Sequence, residues 1–162
     1  MLYNIPGRTG VNIAIDTFVE LAKHENIVAV KEAGGNMDYF AKIIEACGDS
    51  LDVYSGDDGM TVPVMSIGGK GVISVLSNVM PKETHEMCQL CIDNNFAEAG
   101  KLQIKYLSLI NALFCDVNPI PVKEAMALMG LCGNTLRLPL CPTSEAKLAK
   151  ISAELKANGL IK

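Results

Sequence analysis

Basic clusters, long unbroken apolar runs and histidine are all scarce or missing in this chain. Its 14 lysines and arginines are scattered among 18 acidic residues, for a net charge of −4. That balance argues against nucleic acid or an anionic membrane surface as a partner. The most apolar long stretch, residues 62–80, is interrupted by Pro63, Gly68, Gly69, Lys70 and Gly71, so no membrane span is expected. The first residues carry no basic-then-apolar pattern, which makes a cytoplasmic location the expectation. Only two histidines occur, His24 and His85, each alone beside charged neighbours. No Ser-His or Cys-His pairing and no metal-ligand set is visible, and the stretch from Pro81 onward holds no repeat or low-complexity segment.

What is present describes a globular protein. The 162 residues are 49% apolar and 20% charged, enough for one domain with a sizeable core and short for two. Six cysteines (Cys47, Cys88, Cys91, Cys115, Cys132, Cys141) sit in apolar stretches and are expected to be small buried hydrophobes. Cys88 and Cys91 form a C-x-x-C that could be a redox pair or half a zinc site. With no second pair, and at a mid-helix position, the structural reading is preferred.

The first half alternates strands and helices. Leu2-Tyr3-Asn4 resembles the end of a strand, and Pro6 to Gly10 is expected to be a loop from its Pro and Gly content. A helix is expected over residues 16–23, with Phe18, Leu21 and Ala22 on one face. Ile27-Val28-Ala29-Val30 predicts a short, fully buried strand ending at Lys31. The next helix, from Asn36 to Cys47, places Phe40, Ile43, Ile44 and Cys47 at i, i+3, i+4, i+7, and Gly48 ends it. Further strands are expected at 51–54 and 71–75, with a helical stretch between them reaching Ile67. This order gives a parallel sheet with covering helices. From Pro81 the pattern turns all-helical, with helices expected over 82–94, 96–114, 121–129 and 144–158. Four strands do not close a β/α barrel, which takes roughly 250 residues, so the chain reads as truncated at its amino end.

Several residues could carry chemistry. Lys31 stands where the carboxyl end of a strand meets a Gly-rich turn, the rim at which α/β folds bind ligands. Half desolvated there, its amine could act as a nucleophile; alternatively it caps the strand and reaches solvent. Tyr3, at the end of the first strand, could relay protons or could simply pack there. Arg8, in a Gly-rich loop on the same rim, could hold a carboxylate bidentately or could be an ordinary surface arginine. Asp57 and Asp58 precede a helix; paired carboxylates can do acid/base work, but aspartate there is read as a cap. Gly68-Gly69-Lys70-Gly71 lacks the Gly-Lys-Ser/Thr ending of a phosphate loop and precedes a strand, so that reading is rejected.

Taken together, these stretches resemble the dihydrodipicolinate synthase family. Tyr3 to Gly10 (YNIPGRTG), Val30 to Gly35 (VKEAGG), Ser55 to Asp58 (SGDD) and Gly68 to Ser74 (GGKGVIS) carry the resemblance in the first half. Asn118 to Lys123 (NPIPVK) and Leu136 to Pro139 (LRLP) continue it. The fold implied is the second half of a (β/α)8 barrel, about four parallel strands, followed by an all-helical carboxyl-terminal domain. Residues 1–80 would be the half-barrel carrying the Schiff-base lysine, and 81–162 the last barrel helix and the helical domain.

The activity implied is condensation of pyruvate with aspartate semialdehyde to 4-hydroxy-tetrahydrodipicolinate, on the route to lysine and diaminopimelate. Lys31 then matches the Schiff-base lysine, Tyr3 the proton-relay tyrosine and Arg8 the arginine that holds the semialdehyde carboxylate. Gly56 and Ile73 match positions lining the pyruvate pocket, Ile73 through its backbone carbonyl. No metal or organic cofactor is implied, and the full-length family suggests a homo-oligomer, dimer or tetramer. Gly34 stands where many members carry Ser or Thr. The family's Gly-Thr-Thr-Gly segment, with its relay threonine, and a second relay tyrosine are absent from this sequence. The chain by itself is therefore expected to be weakly active or inactive. Two other readings stay open: a non-catalytic half-barrel assembly module, and a related keto-sugar-acid aldolase.

Overall fold

A computed structural model describes residues 1–162. Four parallel strands lie side by side in sequence order: β1 (Leu2–Asn4), β2 (Ala29–Glu32), β3 (Asp52–Ser55) and β4 (Gly71–Val72). The connections are helical, with α1 (Pro6–Thr9) and α2 (Ile15–Leu21) after β1, α3 (Met37–Cys47) after β2 and α4 (Thr61–Ser66) after β3. Five more helices follow: α5 (Pro81–Ile92), α6 (Phe96–Lys105), α7 (Leu107–Leu113), α8 (Ile120–Leu128) and α9 (Glu145–Ala157). None is long and apolar enough to cross a membrane.

The chain forms two compact units, Met1–Ser74 with Glu86–Gly100, and Val75–His85 with Lys101–Lys162. In the first, Phe18 of α2 and Phe40, Ile43 and Cys47 of α3 bury against Val30 and Val53 of the sheet, with Leu51 and Val64. Phe18, Val30, Phe40 and Ile43 are wholly buried, so truncating either phenylalanine to alanine costs about 3–5 kcal/mol. α3 starts where its sequence says it should: the Asn36 side chain accepts from the backbone N–H groups of Asp38 and Tyr39. In the second unit α7, α8 and α9 pack on one another and bury Leu109, Ile110, Leu113, Ile120, Ala125, Ile151 and Leu155.

Several details depart from the sequence-based expectations. Pro6 to Gly10 is not a loop but one helical turn, with Pro in the first turn and Gly10 closing it at φ 70. β2 begins two residues later than the apolar run suggests. Val28 gives its carbonyl to the Asp52 N–H, but its side chain is 59% exposed. β4 is two residues long, although the Ile73 N–H still donates to the Ser55 carbonyl at 2.8 Å. The expected helix over 96–114 breaks at Tyr106 (φ −96, ψ 2). Its hydrogen bonds nevertheless run across the break, from Tyr106 N–H to Leu102 and from Ile110 N–H to Tyr106, so the apolar period carries through without a mark. Finally, Cys132 and Cys141 are exposed, because the segment between α8 and α9 has no regular structure and runs over the surface.

The second unit carries its own electrostatic fastening. Asp116 accepts from Lys147 Nζ (2.8 Å), Thr143 Oγ1 (2.9 Å) and the Val117 N–H (2.8 Å). The Lys147 hydrogen bond foremost, then those of Val117 and Thr143, lower the Asp116 carboxyl from 3.8 to about 2. A carboxylate lowered by folding adds stability above its unfolded value, and that stability is lost as pH falls through the folded one. The thermal midpoint should therefore fall between pH 3.8 and about 2. Asp116→Asn should flatten that part of the profile; an unchanged slope in the variant counts against the assignment.

Candidate active site

Register across the sheet builds the site. Tyr3 pairs with Lys31, Lys31 with Tyr54, and Tyr54 with Gly71, so these four residues form one row. The next row is Asn4, Glu32, Ser55 and Val72. Side chains alternate along a strand, so the two rows face opposite sides. Val30, Val53, Asn4, Glu32 and Ser55 are buried on the helix-covered side. Tyr3, Lys31 and Tyr54 point the other way, Tyr3 exposed and the other two half-buried.

On that open face the Lys31 ammonium lies 4.1 Å from the centroid of the Tyr3 ring, within reach of its negative face. Gly56 closes the site from the side. A Cβ there would stand 2.6 Å from the Ala33 Cβ and 2.9 Å from Lys31 Cε, so only glycine leaves the lysine side chain where it is. Lys31 is the third of four residues in β2 and not its terminus, which is Glu32. Ile73 follows β4 immediately, 39% exposed, at the same carboxyl end of the sheet. Arg8 lies on α1, four residues beyond β1, and is exposed. Thus Tyr3, Lys31 and Gly56 are brought together, while Ile73 and Arg8 lie on the segments that leave neighbouring strand ends.

Other sequence candidates resolve into structural roles. Asp57 accepts from the Gly59 N–H at 2.8 Å and caps a short helical turn over Asp58–Met60. Cys88 lies within α5 and Cys91 one residue before its end, nearer the helix terminus than the mid-helix position expected; burial pushes both thiols up, Cys91 to about 11. No group of three metal-ligating side chains occurs. Gly69 packs against Val64, whose Cγ1 would be 2.5 Å from an added Cβ, so the glycine run serves close packing before β4.

Sequence reasoning missed what lies behind the lysine. Glu32 and Asn4 are each only 1% exposed, and Asn4 Nδ2 donates to Glu32 Oε2 at 2.6 Å. Burial raises the Glu32 carboxyl above its ordinary value, against the lowering pull of hydrogen bonds from Asn4, Gly34 and Ala33. Tyr39 is raised by burial and then by the Glu32 charge. A pocket of about 150 Å³ is lined by Pro6, Asn12, Glu32, Gly34, Asn36 and Tyr39; neither Lys31 nor Tyr3 belongs to it. Glu32 stands two residues after Val30, on the same buried face, and Tyr54 alternates with Val53; those spacings were the available signal.

A family model described as the dihydrodipicolinate synthetase family matches residues 1–158. The 4-hydroxy-tetrahydrodipicolinate synthase of Clostridium perfringens is 50% identical over 162 residues, which is 100% of this chain and 56% of that protein. The chain thus spans about half the length of the curated relatives it matches. A crystal structure of dihydrodipicolinate synthase from Aquifex aeolicus superposes with a TM-score of 0.95 at 43% identity, covering 98% of this chain and 54% of that one. The chloride-inhibited enzyme from Acinetobacter baumannii, complexed with pyruvate, gives 0.95 at 42% identity, covering 99% of this chain and 55% of that one.

Proposed function

From the premise that the chain belongs to the dihydrodipicolinate synthetase family over residues 1–158, we propose that it supplies the Schiff-base half of a 4-hydroxy-tetrahydrodipicolinate synthase. The observation that carries this is the Lys31 amine, 4.1 Å from the Tyr3 ring, on the open face of a parallel sheet with Gly56 leaving room beside it. The amine attacks the pyruvate ketone to give a carbinolamine. Loss of water gives an iminium, which draws electrons from the methyl group so that a proton leaves and an enamine forms. The enamine carbon then bonds to the aldehyde carbon of aspartate semialdehyde, whose oxygen takes up a proton while the iminium re-forms on Lys31. The semialdehyde's own amino group attacks that iminium, closes the ring and displaces the lysine amine. Tyr3 moves protons in these steps, Arg8 holds the semialdehyde carboxylate, and Gly56 and the Ile73 carbonyl line the pyruvate subsite. The iminium formed on Lys31 is the electron sink, and the proposal needs no metal or organic cofactor.

The four strands followed by a helical unit support the finer reading that this is the second half of a (β/α)8 barrel. Residues 1–80 are then the half-barrel, and 81–162 the last barrel helix and a helical domain. In a four-stranded sheet β1 and β4 are edges, whereas a closed barrel has none. That favours a working form in which further strands complete the ring within a homo-oligomer, and little or no turnover by this chain alone. Sedimentation velocity reads the assembly state.

Incubation with pyruvate and borohydride tests the chemistry. A reduced pyruvyl mass on Lys31 is the expected result. An assembly module without chemistry gives none, and a keto-sugar-acid aldolase gives an adduct that sugar aldehydes divert better than aspartate semialdehyde. The same assay reads Arg8. Added semialdehyde consumes the enamine and lowers trapping. Arg8→Ala should leave trapping by pyruvate intact and raise the semialdehyde concentration for half-diversion about tenfold or more, the effect of one charged hydrogen-bonded contact. An unchanged half-diversion point removes Arg8 from the site.

A further inference from the structure

The face of the sheet opposite Lys31 carries a buried polar network that no step of the proposed chemistry uses. The Asn4 side chain sits in the middle of it. Its Nδ2 donates to Glu32 Oε2 (2.6 Å) and to Asn12 Oδ1 (2.7 Å), while its Oδ1 accepts from the Ile13 N–H (3.0 Å). Glu32 Oε1 accepts from the Gly34 N–H at 2.5 Å. The Ala33 N–H donates to the Asn4 carbonyl, and the Tyr39 hydroxyl donates to the Ile13 carbonyl. Each buried acceptor and donor of this kind is costly to leave unmade, so the strand ends and the loops after them hold one arrangement.

That arrangement fixes the site. Asn4 and Glu32 are neighbours of Tyr3 and Lys31 in sequence and pair in the adjoining row. A one-residue slip of β1 on β2 would break the Asn4–Glu32 bond and move the Tyr3 ring off the Lys31 amine. The Ile13 and Gly34 anchors hold the two segments that leave these strands, the first of which bears Arg8. We propose that Asn4 and Glu32 are positioning residues that set the register of Lys31 on Tyr3 and hold both flanking loops. This rests on the reading of Lys31 as the Schiff-base amine.

The pair can be inverted without changing net charge. In Glu32→Gln the new side chain has one acceptor oxygen for two donors, Asn4 and Gly34, so one bond is lost. Adding Asn4→Asp restores both: the glutamine oxygen accepts from Gly34, its amide donates to the new aspartate, and a turned Asn12 amide donates to the same group.

Pyruvate–borohydride trapping per folded molecule, with amide hydrogen exchange read at Ile13 and Gly34, tests this on the full chain. E32Q should trap about tenfold more slowly, as expected for one lost charge-assisted bond at a site sensitive to small displacements, and should exchange faster at both amides. N4D/E32Q should recover both readouts to within about threefold of the starting protein. Wild-type trapping in folded E32Q, or a folded N4D/E32Q no better than E32Q, overturns the proposal. Where E32Q alone does not fold, trapping restored in the double variant supports it, and a folded double variant that does not trap overturns it. Should the unaltered chain form no adduct, the Schiff-base reading fails. Exchange then decides alone: amides unmoved in E32Q overturn the positioning role.

Discussion

Lys31→Arg should abolish the pyruvate adduct, slowing borohydride trapping by about 10³-fold or more, the scale on which loss of a covalent nucleophile is felt. Arginine keeps the positive charge near Tyr3, 4.1 Å from the ring in the parent, and can retain the cation–aromatic contact. Its guanidinium cannot form an imine with a ketone. Stability and substrate attraction are thereby held close to constant while the bond-forming group is removed. Intact-mass spectra before and after peptide digestion measure the result. An adduct of undiminished yield on another lysine would reassign the chemistry, and the site built around residue 31 would fall with it.

Gly56→Ala should have the second-largest effect, for a reason visible only in the folded chain. The added methyl would stand 2.6 Å from the Ala33 Cβ, 2.9 Å from Lys31 Cε and 3.3 Å from the Glu32 carbonyl. Overpacking of this kind costs about 1–3 kcal/mol, and the lysine stem must move to relieve its share. A displacement near 1 Å at a reacting group costs about 10²-fold. The two effects can be separated, because Ala33→Gly in the same chain removes the contact with Ala33 but not the one with Lys31. The thermal midpoint of A33G/G56A should then recover part of its loss while trapping remains slow. Recovery of both together would mean that Gly56 serves packing alone.

Legibility differed from element to element. The helix α3 could be read because its signals agree: Asn36 caps, and Phe40, Ile43 and Cys47 fall on one face and are buried. The strands were located less well, since apolar content marks burial and not pairing. Val28 belongs to the run by composition, yet its side chain lies 59% exposed outside β2. The turn at Pro6 looked like a loop because proline and glycine punctuate loops and helix ends alike. Lys31 and Tyr3 stood out as polar residues at strand ends, and their separation of 28 positions said nothing about contact until register paired them. Tyr54, Asn4 and Glu32 stayed hidden for the same reason: neighbourhood across a parallel sheet is a property of register, which a single sequence does not display.

All four strands run the same way, so the two ends of the sheet have different duties. The carboxyl ends hold Tyr3, Lys31 and Gly56, and the amino ends are approached by residues 23–26 and 48–50, mostly exposed polar side chains. Those approaches offer attachment points for a fluorophore, an affinity handle or a short inserted peptide, at the other end of the strands from the Lys31 amine. An engineer wishing to observe or immobilise the molecule should begin at Glu25 or Asp49 and leave the opposite rim untouched.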